Sequence, residues 1–186
     1  MPSVALEDDS AISVELAQEA DSTLLANLLE LYMHDLSEIF PVVQLGPEGR
    51  FGYPRLSSYW SEPEARFPFL IRKHGKVVGF ALAQRGSPLS DDPEVLDVAE
   101  FFVLRNVRHA GVGARAAELL WDRLPGRWIV RVSEGNPTGL PFWTRVIQRY
   151  AGNAATQTLR HGEPFHWRVF AFDTRARGAR GAPAAP

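Results

Sequence analysis

The chain has 186 residues, of which 45% are hydrophobic and 11% aromatic, and this is enough for one domain with a substantial core. Its 20 basic and 22 acidic residues give a formal net charge of −2, so the overall charge does not favour a nucleic acid or an anionic membrane as a partner. The sequence contains no cysteine, which excludes disulfides, a cysteine nucleophile and a thiolate metal site.

The sequence carries no signal that directs it to a membrane. Residues 1–20 contain five acidic side chains and no basic one, which is the opposite of the basic segment that begins a signal peptide. No apolar run approaches the roughly eighteen residues that a membrane span needs. We therefore expect a soluble cytoplasmic protein with neither a membrane nor a nucleic-acid partner.

The first part of the chain predicts a helix followed by a long loop. Leucines repeat at helical spacing over residues 24–39, and Asp21 or Ser22 is the expected N-terminal cap of this helix. Residues 41–55 are rich in glycine and proline. This composition is typical of an irregular loop, and such loops often carry substrate contacts.

Three strands are predicted next. Residues 67–72 and 77–83 form an antiparallel pair around a tight turn in which Gly75 supplies the positive φ. Residues 96–104 are almost continuously apolar, which is typical of a central strand that is buried on both faces.

The second half of the chain alternates helices and strands. The predicted order is helix 114–124, strand 128–132, helix 139–150 and a closing strand pair, 154–159 with 165–172. Residues 174–186 contain no core-forming side chains, so we expect a disordered tail after a single domain that spans residues 1–173.

The most informative motif is the hexapeptide 108–113, Arg-His-Ala-Gly-Val-Gly, between the apolar strand and the helix that follows it. Its two glycines let the backbone turn sharply and bring N–H groups close to a ligand, and the helix directs its positive end at the same point. These are properties of an anion-binding loop suited to a pyrophosphate. The spacing differs from the Gly-x-Gly-x-x-Gly of a Rossmann site, and the Gly-Lys-Ser/Thr of an NTPase phosphate loop is missing.

The order strand, glycine loop, helix, strand, asparagine, helix resembles the GNAT superfamily of acyl-CoA-dependent N-acyltransferases over roughly residues 24–172. Residues 108–113 supply the family signature Arg/Gln-x-x-Gly-x-Gly/Ala. Residues 99–105 and 142–147 are also similar to a bacterial subgroup of predicted acetyltransferases. The resemblance implies a layered α/β fold, in which a mixed, mostly antiparallel central sheet has helices on both faces and a splayed parallel strand pair binds acyl-CoA.

The resemblance also implies acetyl-CoA as the acyl donor, and no metal. The end of the apolar strand stands where the family pairs its backbone with the pantetheine arm, and Asn136 stands where many members contact that arm. The implied donor contacts are Phe101, Phe102, Val103, Arg108, His109, Ala110, Gly111, Val112, Gly113, Asn136 and Trp143.

The chemistry of acyl transfer requires a neutral amine held near the thioester carbonyl. An alkyl amine is protonated at pH 7, so a carboxylate is the natural base. Asp97 occupies the strand position where several family members carry a catalytic glutamate, and Glu100 lies three residues nearer the loop. Strand alternation places these two acids on opposite faces unless a bulge intervenes.

Of the two acids we favour Glu100 as the catalytic one. An acid inside so apolar a strand is costly without a role or a partner. The alternative is a structural Glu100 that is satisfied by a buried arginine or by backbone groups.

The sequence departs from the family pattern on the last helix. Many members have a tyrosine there that protonates the leaving thiolate, whereas this chain has Trp143, and an indole N–H is not a useful acid. Other tyrosines reach the cleft only if the first helix and its loop fold over it. The candidate acceptor contacts are Tyr32, Asp35, Tyr59 and Trp60.

Two functions remain open from the sequence. The first is an acyl-CoA-dependent N-acyltransferase, which transfers acetyl to a primary amine of a small molecule or a protein. The second is a catalytically weak acyl-CoA-binding module that serves as a sensor or an interaction domain. The mixed charges of residues 41–66 do not identify the acceptor, and the family implies a monomer or a homodimer.

Overall fold

The structure is a computed structural model that describes residues 11–108 and 110–175. Within these ranges the strands are β1 Ile12–Leu16, β2 Arg66–Lys73, β3 Lys76–Arg85, β4 Leu96–Val103, β5 Arg127–Ser133, β6 Thr156–Arg160 and β7 Trp167–Asp173. The helices are α1 Ser22–Ser37, α2 Ser58–Ser61, α3 Val112–Arg123 and α4 Gly139–Ala151. The strands form one sheet in the order β1-β2-β3-β4-β5-β7-β6, which makes β4 the central strand.

All neighbouring strands of the sheet are antiparallel except β4 and β5. The parallel pair is in register only at Leu96 with Trp128 and at Asp97 with Ile129. Six further β4 residues follow Asp97 without a strand partner on this side in the described part of the chain. The two strands therefore splay apart toward their carboxyl ends, which confirms the predicted splayed pair.

The β2–β3 hairpin has the tight turn that the sequence predicts. Its two central residues, His74 and Gly75, have φ angles of 49° and 76°. Positive φ at both central positions is typical of a type I′ turn, whose twist matches that of the paired strands. Gly75 was expected to take this conformation, and His74 shares it.

A β-bulge in β4 changes which side chains share a face of the sheet. Leu82 of β3 is opposite Glu100, but the next β3 residue, Ala83, is opposite Val98, so Ala99 is an extra residue in β4. Because a bulge shifts the alternation by one residue, Asp97 and Glu100 lie on the same face. The sequence predicts opposite faces for the two acids only if no bulge intervenes. Because the bulge is present, the two acids share one face of the sheet.

Helices cover both faces of the sheet, as predicted. On one face α1 buries Leu25, Leu28 and Leu29 against strands β2 to β4. On the other face α3 and α4 pack on the sheet around the fully buried Trp121 and Trp128. None of the helices in residues 11–108 and 110–175 is both long and apolar enough to cross a membrane.

The structure corrects three details of the sequence prediction, two at helix ends and one at the start of the tail. The Asp21 carboxylate does not cap α1; it accepts the backbone N–H of Gln18 at 2.9 Å, and a short 3₁₀ turn precedes the helix. Helix α3 begins at Val112, two residues earlier than predicted. Thr174 belongs to the packed domain rather than to the tail, because it is buried and its hydroxyl accepts the Gly126 N–H at 2.9 Å. Residues 176–186 of the predicted tail lie outside the described residues.

A substitution at Gly79 tests the close approach of β3 to the end of β4. A Cβ atom at this position would lie 2.1 Å from the carbonyl oxygen of Phe102, so an alanine must displace the β4 backbone. We expect Gly79→Ala to lower the free energy of unfolding by more than about 2 kcal/mol in urea denaturation.

The matched control is Gly49→Ala, because Gly49 has a φ of +72° and nothing within 4 Å of the added Cβ. This variant carries only the conformational strain of about 1 kcal/mol. Equal losses in the two variants would contradict the steric explanation.

Candidate active site

The splay of β4 and β5 leaves an open backbone edge at the centre of the sheet. The β4 end is flanked on its α4 side by aromatic rings: Phe101 lies with its ring centroid 5.1 Å from that of Trp143 and 6.1 Å from that of Phe142. Trp143 is only 8% exposed and also contacts Trp121, so it is part of the aromatic core beside the splay. Its predicted contact with a donor remains a prediction.

The glycine loop forms the N-terminus of α3. Gly111 has a φ of +72°, in the left-handed region that favours glycine, and its carbonyl accepts the first helical hydrogen bond from Arg115 at 3.0 Å. The N–H groups of the first helical turn have no acceptor within a helix, and they form the positive end of its dipole. Ala110, Gly111, Val112 and Gly113 thus lie at or beside the N-terminus of α3, and their contacts with a donor remain predictions. His109 lies outside the described residues.

Arg108, the first residue of the loop, makes its described contacts with β4 and α1, and its predicted contact with a donor remains a prediction. Its Nε donates to the Val103 carbonyl at 2.7 Å and its Nη2 donates to Asp35 at 2.6 Å. The guanidinium also lies over the Phe102 ring, 5.5 Å from the centroid. The side chain therefore fastens the loop to the end of β4 and to α1.

Asp35 was predicted as an acceptor contact, and the structure places it against the loop. Its second oxygen accepts two hydrogen bonds from Arg105, at 2.7 and 3.0 Å. Burial would raise the pKa of Asp35, but the hydrogen bonds from Arg105 and Arg108 outweigh burial and lower it. Asp35 is therefore an ionised counterion of two arginines.

Glu100 is held by two tyrosine hydroxyls that come from different elements. Tyr32 of α1 donates to Oε2 at 2.6 Å, and Tyr53 of the 41–55 loop donates to Oε1 at 3.0 Å. Burial raises the pKa of Glu100 above the ordinary glutamate value, although both hydroxyls act in the opposite direction. Burial likewise raises the pKa values of Tyr32 and Tyr53, with a contribution from the Glu100 charge. The first helix and its loop thus do fold over the cleft.

Asp97 has a different kind of partner. It is fully buried, and its Oδ2 accepts a hydrogen bond at 3.0 Å from Arg131 of β5, across the point where the strands begin to splay. Burial raises the pKa of Asp97, while Arg131 opposes the rise. Burial lowers the pKa of Arg131, but the charge of and hydrogen bond to Asp97, together with the Glu100 charge and Tyr32, raise it overall. Arg131 also lies over the Trp167 ring, 5.9 Å from the centroid.

Three other predicted site residues have structural contacts. The Asn136 side-chain oxygen accepts the Gly139 N–H at 2.7 Å and caps α4. Tyr59 is buried, with the Arg66 guanidinium 5.6 Å from its ring centroid, and burial raises its pKa. Trp60 packs beside Tyr59 in the cluster under α1. Contacts of these residues with a donor or an acceptor remain predictions.

Sequence reasoning missed Arg131 altogether and did not count Tyr53 among the site residues. Arg131 had a detectable signal, because a lone arginine within the apolar strand Trp-Ile-Val-Arg-Val implies a buried partner. Tyr53 had no comparable signal. No group of His, Asp and Glu in the described residues is arranged to hold a metal ion.

The splay, the bulged central strand and the glycine loop at the start of α3 define an N-acyltransferase fold. The chain belongs to the Acetyltransferase (GNAT) family, whose profile matches residues 26–146. It is thus an N-acetyltransferase by family. Among curated proteins no match was found.

Three solved structures illustrate the similarity of fold. Aminoglycoside acetyltransferase AAC(6′)-Ib, in complex with coenzyme A, has a TM-score of 0.66 and 12% identity, covering 92% of this chain and 99% of its own. An acetyltransferase from Thermus thermophilus has a TM-score of 0.59 and 16% identity, covering 88% and 97%. A ribosomal-protein-alanine N-acetyltransferase from Brucella melitensis has a TM-score of 0.57 and 16% identity, covering 87% and 99%.

The contribution of the buried Asp97–Arg131 ion pair to the free energy of unfolding can be tested by mutation. Asp97→Ala leaves the Arg131 guanidinium in a largely buried position without its carboxylate. We expect a loss of about 3–5 kcal/mol in the free energy of unfolding, measured by urea denaturation.

The control for Asp97→Ala is Glu62→Ala, which breaks the surface pair of Glu62 with Arg66 at 2.8 Å. Solvent screens this pair, so the loss is expected to be much smaller. Similarly small losses of stability in both variants would contradict a stabilising role of the buried Asp97–Arg131 pair.

Proposed function

We propose that the chain transfers an acetyl group from acetyl-CoA to a primary amine by direct attack, with Glu100 as the base. The observation that carries this proposal is the partly buried Glu100 carboxylate, placed on the bulged β4 beside the splay and oriented by two tyrosine hydroxyls. No covalent enzyme intermediate is required, because the amine attacks the thioester directly.

Two features of the fold support acetyl-CoA as the donor. The β4 backbone beyond Asp97 has no strand partner on its β5 side within the described residues, so its N–H and C=O groups are available to an extended amide chain such as pantetheine. The start of α3 at Gly111 offers first-turn N–H groups to a pyrophosphate. The related fold of AAC(6′)-Ib is seen with coenzyme A bound.

Glu100 suits the role of base better than Asp97. A base works best when its pKa lies near the operating pH, and burial raises the pKa of both acids, but Asp97 is committed to an ion pair with Arg131. Tyr32 and Tyr53 hold its carboxylate in one orientation through neutral hydroxyls. These two tyrosines bring O–H groups to the site from α1 and the loop, whereas α4 offers only Trp143 at the position where the family has a tyrosine.

The acceptor is proposed only as a primary amine of a small molecule or a protein. The similar structures include an aminoglycoside acetyltransferase and a ribosomal-protein-alanine N-acetyltransferase, so both kinds of acceptor occur on this fold. Their identities of 12% and 16% do not narrow the choice.

An acyl-CoA-binding module without turnover is the second candidate. It is favoured by the two hydroxyls that already occupy both Glu100 oxygens and by Trp143 on α4. Turnover with a panel of amines separates the two functions, because a module binds acetyl-CoA and transfers nothing.

Donor binding is the first test of the proposed function. Acetyl-CoA at about one hundred times its dissociation constant should stabilise the native state by roughly 2.7 kcal/mol, seen as a higher melting temperature. Gly111→Glu should lose this shift, because it places a carboxylate where the anion binds.

The matched control for donor binding is Gly75→Glu, since Gly75 has a φ of +76° in the distant β2–β3 turn and therefore carries a similar backbone strain. It should keep the full shift. An unchanged melting temperature of the wild type with acetyl-CoA would contradict the donor assignment.

The pH dependence of kcat/KM tests Glu100 as the base. Protonated Glu100 cannot accept a proton, so activity should fall as the pH drops through its pKa, which burial raises above the ordinary value. Tyr53→Phe removes a hydrogen bond that favours the ionised carboxylate, so the pKa should rise further and the acidic limb should move to higher pH. Glu100→Gln should lower kcat about 10²-fold or more while preserving acetyl-CoA affinity.

The control for Tyr53→Phe is Tyr59→Phe, which also removes a buried tyrosine hydroxyl, but one that makes no hydrogen bond to Glu100. Its acidic limb should coincide with that of the wild type. An acidic limb that stays in place in Tyr53→Phe, or full activity in Glu100→Gln, would refute the assignment of the base.

A further inference from the structure

The last turns of α1 contact both parts of the proposed site. Asp35 accepts hydrogen bonds from Arg108 of the donor loop, and its side chain is only 19% exposed. Tyr32, one turn earlier on the same helix, donates to Glu100. One segment of helix thus joins the loop to the proposed base.

Arg108 is the polar anchor of the loop. The two glycines of the loop have no side chain, and Val112 anchors the other end by burial in the core. Arg108 in contrast is fastened by hydrogen bonds, through Nε to the last residue of β4 and through Nη2 to Asp35. These hydrogen bonds hold the guanidinium against β4 and α1. The backbone N–H groups of the loop are then the groups left to contact a donor.

We propose that Asp35 is a positioning residue that fixes the donor loop, through Arg108, relative to Glu100. Asp35 itself touches neither the donor nor the reacting amine. The proposal rests on the proposed function, because it concerns binding of the same donor.

The charge of Asp35 makes the proposal distinguishable from a simple electrostatic effect. Asp35→Asn removes one negative charge and leaves two arginines without their carboxylate near an anion-binding loop. If charge alone mattered, the affinity for a polyphosphate ligand would rise, most of all at low salt. If Asp35 positions the loop, the affinity falls in spite of the added positive potential.

The experiment measures the dissociation constant of coenzyme A by calorimetry for folded protein, with a thermal melt as the check of folding. We expect Asp35→Asn to weaken binding about tenfold, since a displaced loop misaligns its N–H groups with the ligand. We expect the KM for acetyl-CoA to rise more than kcat falls. A loss of global stability alone would leave the dissociation constant of the folded fraction unchanged.

Arg108→Gln is the second arm, because it removes the anchor while Asp35 keeps its two hydrogen bonds from Arg105. It should weaken binding to a similar degree, and the double variant should be no weaker than either single variant. Arg85→Gln, which breaks an exposed ion pair with Glu94, and Glu38→Gln are the controls, and both should bind coenzyme A within about twofold of the wild type, by the weak contribution of exposed charges.

The outcomes separate the two proposals. Wild-type binding together with unchanged or tighter binding by both Asp35→Asn and Arg108→Gln overturns the positioning role and leaves the proposed function intact. A wild-type protein that does not bind coenzyme A overturns the proposed function, and the positioning role with it. Weaker binding in both variants with unchanged controls supports the positioning role.

Discussion

The extra residue Ala99 in the central strand is the constraint on which the site depends. With strict alternation, Asp97 and Glu100 would face opposite sides of the sheet, one toward α1 and the other toward α3 and α4. The bulge places both carboxylates, together with Phe102, on the α1 face. A bulge beside a functional site commonly re-aims a side chain in this way. The hydrogen bonds of Tyr32 and Tyr53 to Glu100 and of Arg131 to Asp97 require that placement.

Two neighbouring carboxylates, of which Asp97 is buried and Glu100 partly buried, would repel each other, and the fold gives them two different kinds of partner. Arg131 compensates the charge of Asp97 in an ion pair. The side-chain hydrogen bonds of Glu100 come from neutral hydroxyls, which orient it and satisfy its oxygens, while the Arg131 charge acts on it without a hydrogen bond. An ion-paired carboxylate is a weakened base, whereas one held by neutral donors keeps its capacity to accept a proton. The chemistry of the partners therefore divides the roles of two similar side chains.

Helix α1 is more than a cover for the sheet. Its apolar side is buried on β2 to β4, while Tyr32 and Asp35 extend to Glu100 and to Arg108 of the glycine loop. The glycine loop and Glu100 are thus both hydrogen-bonded to one helix. The 41–55 loop is joined to the same helix, since the Glu30 carboxylate accepts the N–H groups of Phe51 and Gly52 at 2.8 Å each.

Much of the fold was predictable because its signals are local. The hairpin at Gly75, the apolar strand β4, the amphipathic helices α3 and α4 and the glycine loop are all visible as spacing or turn residues, and the structure confirms them. Strand β1 and the single turn α2 were not predicted, because elements of five and four residues carry too little periodicity.

The sequence by itself determined the class of the fold, the place of the glycine loop and the two acids that are candidates for the base. Only the tertiary structure decided which side chains form hydrogen bonds with Glu100 and with Arg108. Tyr32 and Tyr53 are separated from Glu100 by 68 and 47 residues, and Arg108 is 73 residues from Asp35. No local pattern encodes such contacts, because they arise when α1 and its loop dock on the sheet. The bulge at Ala99 belongs with them, since it is defined by the register with β3 and not by β4 alone.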